Sequence, residues 1–480
     1  MKFSYATQPY DKQREAFELS RDHEAFALFM DPGTGKTKVT FDTARWLFCQ
    51  GFIDGMLVVA PKGCYHQWAD EELETHWAGN GDISVHLWQA GSGQRIIQER
   101  EAFLMPPDPG CLDVVVMNIE YMSLKGGYMF ARAFMEAHRT LLVVDESTTI
   151  KNHKASCTKH LLRLAPRATY RRILSGDPTP QSPTDILSQA IFLSPDVLGM
   201  NYWNAYARYT QLEERYGTGQ RKYKAVVGYR RVEELRRKLE PYAFRCKLEE
   251  CEDMPRRIYR RIDVPLPAEQ LRDYQQLRDR AVLELEQGET VTAPMMITRI
   301  IRLRQMLCGF VHIEETNESV DYEDQVRLNT LLSTIESRPG KAIIWASFRH
   351  SAFMIQRALE TRYGPETTAL YMGGTKGRAE IQSRFNDPRD PLRFFIGTPP
   401  TGKWGLNLQQ GTTMHYFSNC YNLEVRNQSE RRIYRLGQKQ RCVYYDYVTP
   451  GTVDEKILEV LRQKKNLSRL ITGDAWREWI

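Results

Sequence analysis

The run Ala25-Phe26-Ala27-Leu28-Phe29-Met30 passes directly into Asp31-Pro32-Gly33-Thr34-Gly35-Lys36-Thr37, and a helical pattern begins near Thr37. Six apolar residues closed by a Pro-Gly turn read as a buried strand. The two glycines allow backbone conformations that other residues avoid. A strand, a glycine-rich loop and a helix in that order aim backbone N–H groups at one spot, and the helix dipole makes that spot favourable for an anion. Gly33, Thr34 and Gly35 then line a phosphate cradle, Lys36 reaches the β- and γ-phosphates of a nucleotide, and the Thr37 hydroxyl can bind Mg²⁺. The full G-x-x-x-x-G-K-T spacing asks for glycine at position 30, where this chain has Met30.

Further short, β-rich runs follow at 56–60, 113–117, 141–144 and 172–174, separated by segments long enough for crossover helices. Continuous apolar runs joined in this way imply a parallel sheet covered on both faces. A second series, at 258–264, 342–346, 369–372, 394–396, 413–417 and 444–448, is preceded or interrupted by helical stretches at 268–286 and 295–307. The chain of 480 residues therefore reads as two α/β units, at 1–195 and 251–480. Between them lies an aromatic, basic, helical insertion at 196–250, without convincing strands, and the second unit carries its own helical insertion at about 268–335.

Hydrophobic residues make up 42% and charged residues 26%, the balance of a globular chain rather than a disordered or collagen-like one. No apolar stretch approaches the roughly 18 residues of a membrane helix. The opening Met1-Lys2-Phe3-Ser4-Tyr5 lacks the apolar core of a signal peptide, so an intracellular, cytoplasmic protein is expected. The nine cysteines contain no C-x-x-C pair, and Cys246 and Cys251 have no neighbouring His, so reduced and mostly buried thiols are expected in place of a zinc site. Net charge is +6, but it is concentrated: 215–247 holds eleven Lys or Arg against three Glu, with Arg221, Lys222, Lys224, Arg230 and Arg231 at its centre. That run suits a phosphate-tracking surface or a solvated helix face equally. Beside it, Tyr202, Trp203, Tyr206 and Tyr209 either pack beneath the inserted helices, the favoured reading, or stack on nucleic acid.

A nucleotide-hydrolysing site needs a carboxylate at the end of a neighbouring strand. Leu141-Leu142-Val143-Val144-Asp145-Glu146 supplies one, with Asp145 holding the metal and Glu146 orienting or deprotonating the attacking water.

Taken in order, these segments resemble the Swi/Snf-type ATPases of helicase superfamily two over nearly the whole chain. Pro9-Tyr10-Asp11-Lys12-Gln13 is similar to the family's adenine-reading motif, with Gln13 as its glutamine. The segment 57–68 matches the strand, proline and tryptophan motif that follows the P-loop, and Asp145 through Asn152 matches the Asp-Glu box. Leu174-Ser175-Gly176-Asp177-Pro178 is similar to the motif that couples the ATP and nucleic-acid sites, giving Ser175 and Asp177 that role. Pro255 through Tyr274, with Gln270, resembles the entry into the second lobe. Gly405-Leu406-Asn407-Leu408 matches the fifth motif, and Gln428 through Gln438 the sixth, giving Gly405 and Gln428 coupling roles. In the sixth, Arg432 and Arg435 would share one helix face and act as arginine fingers. Two departures stand out: Thr148 occupies the usual His of the Asp-Glu box, and Asp177 a usual Thr.

The resemblance implies an α/β fold of two RecA-like parallel-sheet lobes with helical insertions, binding ATP and Mg²⁺ and hydrolysing ATP when stimulated by DNA. It implies translocation on double-stranded DNA, with remodelling of branched DNA in repair, recombination or replication. Lys62, Asn118 and Ser347 are the phosphate contacts it implies, and Lys403, in the second position of a usual Gly pair, either touches phosphate or is a solvated loop lysine. A strand-separating DNA or RNA helicase and a nucleotide-gated nucleic-acid-binding module with slow hydrolysis use the same ATP-site residues and remain alternatives. A monomer without membrane association, in a bacterial or viral setting, is the accompanying expectation.

Overall fold

The strands expected from the apolar runs form two separate parallel sheets in a computed structural model that describes residues 3–77, 82–106, 108, 110–216, 222–250, 255–286, 293–313, 316–403, 406–435 and 438–472. The chain divides into two units. The first comprises Met1–Glu213, Lys224–Asp253 and Lys465–Ile480, the second Glu214–Tyr223 and Met254–Lys464.

In the first unit the strands are β1 (Ala25–Met30), β2 (Gly55–Ala60), β3 (Asp82–Leu87), β4 (Cys111–Asn118), β5 (Thr140–Val144) and β6 (Tyr170–Ser175). A hairpin, β7 (Thr210–Tyr216) and β8 (Lys222–Tyr229), is divided between the two units, and a short β9 (Ala243–Cys246) belongs to the first. The main sheet has the order β3-β4-β2-β5-β6-β1-β9, and every neighbouring pair in it is parallel. Side chains alternate across it: Ala27, Phe29, Leu57, Val59, Leu142 and Val144 fill the core on one face, and Phe26, Leu28, Val58, Ala60, Leu141 and Val143 fill the other. Both faces are thus removed from water, which explains runs without hydrophobic alternation. Each large apolar side chain so buried contributes about 1.5–3 kcal/mol.

The second unit repeats this construction with β10 (Arg257–Asp263), β13 (Lys341–Trp345), β14 (Thr368–Tyr371), β15 (Phe394–Gly397), β16 (Gly411–Tyr416) and β17 (Cys442–Val448), ordered β10-β17-β16-β13-β15-β14 and again parallel throughout. A small antiparallel pair, β11 (Phe310–Ile313) and β12 (Glu318–Asp321), interrupts the stretch expected to be helical at about 268–335. The helices Ala268–Glu286 and Ala293–Leu307 lie where the sequence places them.

The insertion at 196–250 is not simply helical. Helices Tyr202–Tyr209 and Val232–Leu239 flank the β7–β8 hairpin, and β9 completes the main sheet beside β1. The hairpin escapes a periodicity argument because Leu212, Tyr223, Val226 and Val227 are all exposed, so no buried face imposes alternation. β9, only four residues long, has too little pattern to read. Tyr209 is fully buried and Trp203 is 53% exposed, so the aromatic cluster is only partly core. Of the cysteines, Cys246, Cys308 and Cys442 are buried, while Cys49, Cys64, Cys111, Cys157 and Cys420 are half-exposed, fewer in the core than expected. Among the described residues no group of His, Cys, Asp and Glu is placed to hold a metal ion, and no helix is long and apolar enough to cross a membrane.

A buried ion pair closes the second unit. Arg327 donates to the carbonyl of Phe417 and to Thr449 Oγ1, both at 2.9 Å, and to the Asp454 carboxylate. Removing one member of such a pair strands the other charge in a low-dielectric site. Asp454→Ala is therefore expected to cost about 3–5 kcal/mol, read from hydrogen exchange of the β16 and β17 amides. A loss below about 1 kcal/mol would contradict this assignment.

Candidate functional site

In a sheet whose strands all run one way, the loops leaving their carboxyl ends share an edge. Along that edge of the first unit lie the P-loop after β1, Ser175 and Asp177 at the end of β6, Asp145 and Glu146 after β5, Lys62 after β2 and Asn118 at the end of β4. β6 alone separates β1 from β5, so the P-loop and the Asp-Glu pair emerge two strand spacings, roughly 10 Å, apart.

The P-loop holds Gly33 at φ +88° and Gly35 at φ +93°, both left-handed. A Cβ on Gly35 would collide with the Gln13 amide, whereas one on Gly33 would meet only open space. Glycine is thus favoured by backbone conformation at both positions and by packing as well at 35. Gln13 is buried and committed to the loop, accepting from the Tyr10 amide at 3.0 Å and donating to the Thr34 carbonyl at 3.1 Å. Thr34 Oγ1 donates to the Asp31 carbonyl at 2.7 Å. β9 braces the same loop: the Asp31 amide donates to the Cys246 carbonyl at 3.0 Å, and Asp31 Oδ2 accepts from the Leu248 amide at 3.2 Å. Lys36 opens the helix Lys36–Cys49 and folds back to donate to the Met30 carbonyl at 3.0 Å.

Asp145 is fixed through both oxygens. Oδ1 accepts from the Glu146 amide at 2.8 Å, and Oδ2 accepts from the indole N–H of Trp68 at 2.9 Å. Trp68 is buried on the helix Tyr65–Ala69, its ring 5.4 Å from that of Phe41 on the P-loop helix. The sequence marks Trp68 as part of a motif but gives no sign of this bond, which spans 77 residues of chain. Glu146 stands at φ +46°, a left-handed conformation unusual for a residue with a side chain. Ser175 Oγ accepts from the Asp177 amide at 3.2 Å, forming the turn after β6. An open cradle at Gly33, amides at a helix start, a lysine above them, an oriented carboxylate and a Thr37 hydroxyl without a hydrogen bond among the described residues together fit a triphosphate with its Mg²⁺.

The residues expected to contact phosphate divide by role. Lys62 is exposed and has no ion-pair or hydrogen-bond partner among the described residues. Asn118 is buried and accepts from the Glu120 amide at 3.1 Å, capping a helical turn. Of the basic run, Arg230 is committed to the carbonyls of Arg208 and Ala207 at 3.1 and 2.9 Å, and Lys222 pairs with Glu214 at 3.5 Å. Lys224 and Arg231 are exposed, with Arg231 at φ +56°. Arg221 and Gly405 lie outside the described residues.

In the second unit the expected helix stops early. It spans Leu423–Glu430, and Arg432 and Arg435 follow it in a turn. The reason is a side-chain cap: Arg432 is buried and its guanidinium donates to the Gln428 carbonyl and the Leu406 carbonyl, each at 2.9 Å. Arg432 thus holds the fifth-motif loop against the end of this helix. Arg435 differs. Its guanidinium has no partner among the described residues, and burial pulls its pKa below the ordinary arginine value with no carboxylate to offset it. Gln428 is buried, with Nε2 directed at Glu424. The helix itself is anchored by Arg426, which bonds Glu430, Asn419 and Asp446. Burial alone would lower the Arg426 pKa, but Asp446, Tyr416 and Glu430 outweigh it and hold it well above the usual value. Ser347, after β13, donates its hydroxyl to the Ser418 carbonyl at 3.1 Å and so ties two loops together. Lys403 ends the short helical turn Pro399–Lys403.

The bond from Trp68 makes a measurable demand on the metal. Trp68→Phe keeps an aromatic ring in the core and removes the indole N–H together with part of the buried ring, so the Mg²⁺ concentration giving half-maximal nucleotide binding is expected to rise about tenfold. Mg²⁺ titration of a fluorescent nucleotide checks this, and an unchanged midpoint would contradict it.

Comparison with known proteins gives this site its family. The family model described as the SNF2-related domain matches residues 11–310. An uncharacterized ATP-dependent helicase of Mycoplasma genitalium is 23% identical over 68% of this chain and 30% of its own length. Chromodomain-helicase-DNA-binding protein 1 of Gallus gallus is 24% identical over 92% of this chain and 25% of its own. The DNA repair and recombination protein RAD54-like of Drosophila mojavensis is 23% identical over 92% of this chain and 59% of its own. The chain thus spans between a quarter and three fifths of these relatives. Among solved structures, the SWI2/SNF2 ATPase core of Sulfolobus solfataricus in complex with double-stranded DNA aligns over 99% of this chain and 96% of that one, at 18% identity and a TM-score of 0.42. The fold assignment rests on the two parallel sheets themselves. With its P-loop and Asp-Glu box on one sheet edge, and the family match running through both, the chain belongs to the SNF2-related family of ATP-dependent, helicase-like ATPases.

Proposed function

We propose that this chain is an ATP-driven translocase on double-stranded DNA, acting on branched intermediates in repair, recombination or replication. The observation that carries the reading is the shared edge. The P-loop, Ser175–Asp177 and Asp145–Glu146 leave three adjacent strands, β1, β6 and β5, and Lys62 leaves the next one, β2, exposed to solvent. An exposed lysine, in this reading a phosphate contact, thus stands one strand from Asp145–Glu146. DNA as the substrate is supported by the names of the relatives, one a DNA-binding helicase and one a DNA repair and recombination protein.

In this mechanism Lys36 leaves the Met30 carbonyl for the β- and γ-phosphates of ATP, and Gln13, through its hold on Thr34, keeps the cradle in shape beside the base. Thr37 and Asp145 would hold Mg²⁺. When bound, that ion neutralises charge on the β- and γ-phosphate oxygens. Glu146 orients the attacking water and accepts its proton. Arg435 is the finger: a guanidinium with no partner among the described residues is available to the charge that develops at the γ-phosphate. Lys62, Lys222 and Lys224 grip phosphates, so binding carries little sequence preference and weakens with salt.

Lys36→Ala is expected to abolish ATP hydrolysis. Arg435→Ala should lower kcat by roughly 10³ while nucleotide affinity changes less than about threefold, and a matched loss of both would contradict the finger role. ATPase rates measured across duplex, single-stranded, forked and four-way DNA should be highest with the duplex and branched forms. Preference for single strands together with fork unwinding would overturn the translocase reading in favour of a strand-separating helicase.

A further inference from the structure

The left-handed backbone of Glu146, at φ +46° and ψ +59°, persists only because its surroundings over-determine it. Its amide donates to Asp145 Oδ1 at 2.8 Å, and its carbonyl accepts from the Thr149 amide at 2.9 Å. The third restraint comes from far along the chain. Ser147, the next residue, donates its hydroxyl to Gln189 Oε1 at 2.6 Å. The same Gln189 amide donates from Nε2 to the carbonyls of Pro178 and Asp185, each at 2.8 Å. Ser147 and Gln189 are both fully buried, so these bonds do not compete with water. Beside them, Ser188 Oγ donates to the Lys151 carbonyl at 3.3 Å, a second stitch between the helix Leu187–Leu193 and the turn after the Asp-Glu pair.

One side chain therefore joins the loop leaving β5 to the loop leaving β6. Its two ends fall next to the two departures from the family pattern: Ser147 adjoins Thr148, and Pro178 adjoins Asp177. We propose that Gln189 is a positioning residue for hydrolysis, fixing the aim of the Glu146 carboxylate through Ser147 and relaying movement of the β6 loop to it through the Pro178 carbonyl. Gln189 touches neither nucleotide nor water and exchanges no proton; it acts by holding strained backbone in place. The inference rests on Glu146 as the residue that activates water.

The test uses the full chain carrying Ser147→Ala, Gln189→Met or both. Each single change is expected to lower kcat about tenfold or more while the affinity for a non-hydrolysable ATP analogue stays within about twofold. The double change should lose no more than the worse single one, because both remove the same bond. Ser147→Ala deletes one hydroxyl and leaves both Nε2 bonds intact, so it carries the test if Gln189→Met does not fold. Unchanged turnover in Ser147→Ala, a parallel loss of nucleotide affinity, or additive losses would overturn the bridge. Glu146→Gln in the same series separates the two levels: wild-type turnover there removes the reading beneath the proposal, whereas a dead Glu146→Gln with a fully active Ser147→Ala removes the bridge alone.

Discussion

Parallel alignment of all seven main-sheet strands in the first unit is the constraint from which the site follows. In such a sheet every carboxyl-terminal loop emerges on the same side, so residues more than a hundred positions apart in sequence become neighbours without any loop having to travel. The strands are buried on both faces and packed by continuous apolar runs, which makes the edge a rigid platform. On that platform the chain places its unusual conformations, the left-handed Gly33, Gly35 and Glu146. Each is held from behind: the P-loop by Gln13 and β9, the acidic pair by Trp68.

The second unit distributes its arginines by a similar logic. Arg426 and Arg327 are buried with carboxylate partners and serve the fold. Arg432 caps a helix end with its guanidinium. Arg435 is partly buried, with no partner among the described residues, and burial lowers its pKa. That contrast is the reason Arg435 is the arginine proposed to meet the nucleotide. A positive charge held poorly solvated in the resting protein is one whose interaction with developing negative charge gains most.

The sequence made legible whatever depends on local pattern. The strands from β1 through β6, apart from β3, and the strands of the second sheet coincide with short β-rich runs, and the P-loop and Asp145–Glu146 follow directly on two of them. What it hid depends on distance or on exposure. The Trp68–Asp145 and Ser147–Gln189 bonds span 77 and 42 residues and leave no trace in spacing. The β7–β8 hairpin has no buried face, so its strands look like a basic helix. The expected face of paired arginines fails because Arg432 turns back to satisfy the Gln428 and Leu406 carbonyls. Asn118 and Ser347, expected on phosphates, are engaged in capping and in tying loops, which are the other common uses of small polar residues at strand ends.

The proposed mechanism asks that Lys36 and Arg435 meet one triphosphate. The most direct measurement is a structure of the full chain with ADP, beryllium fluoride and Mg²⁺ on duplex DNA. The account predicts Lys36 Nζ and the Arg435 guanidinium both within hydrogen-bonding distance, about 3 Å, of the beryllium fluoride group. Finding Lys36 there while Arg435 contacts only protein or solvent would contradict it.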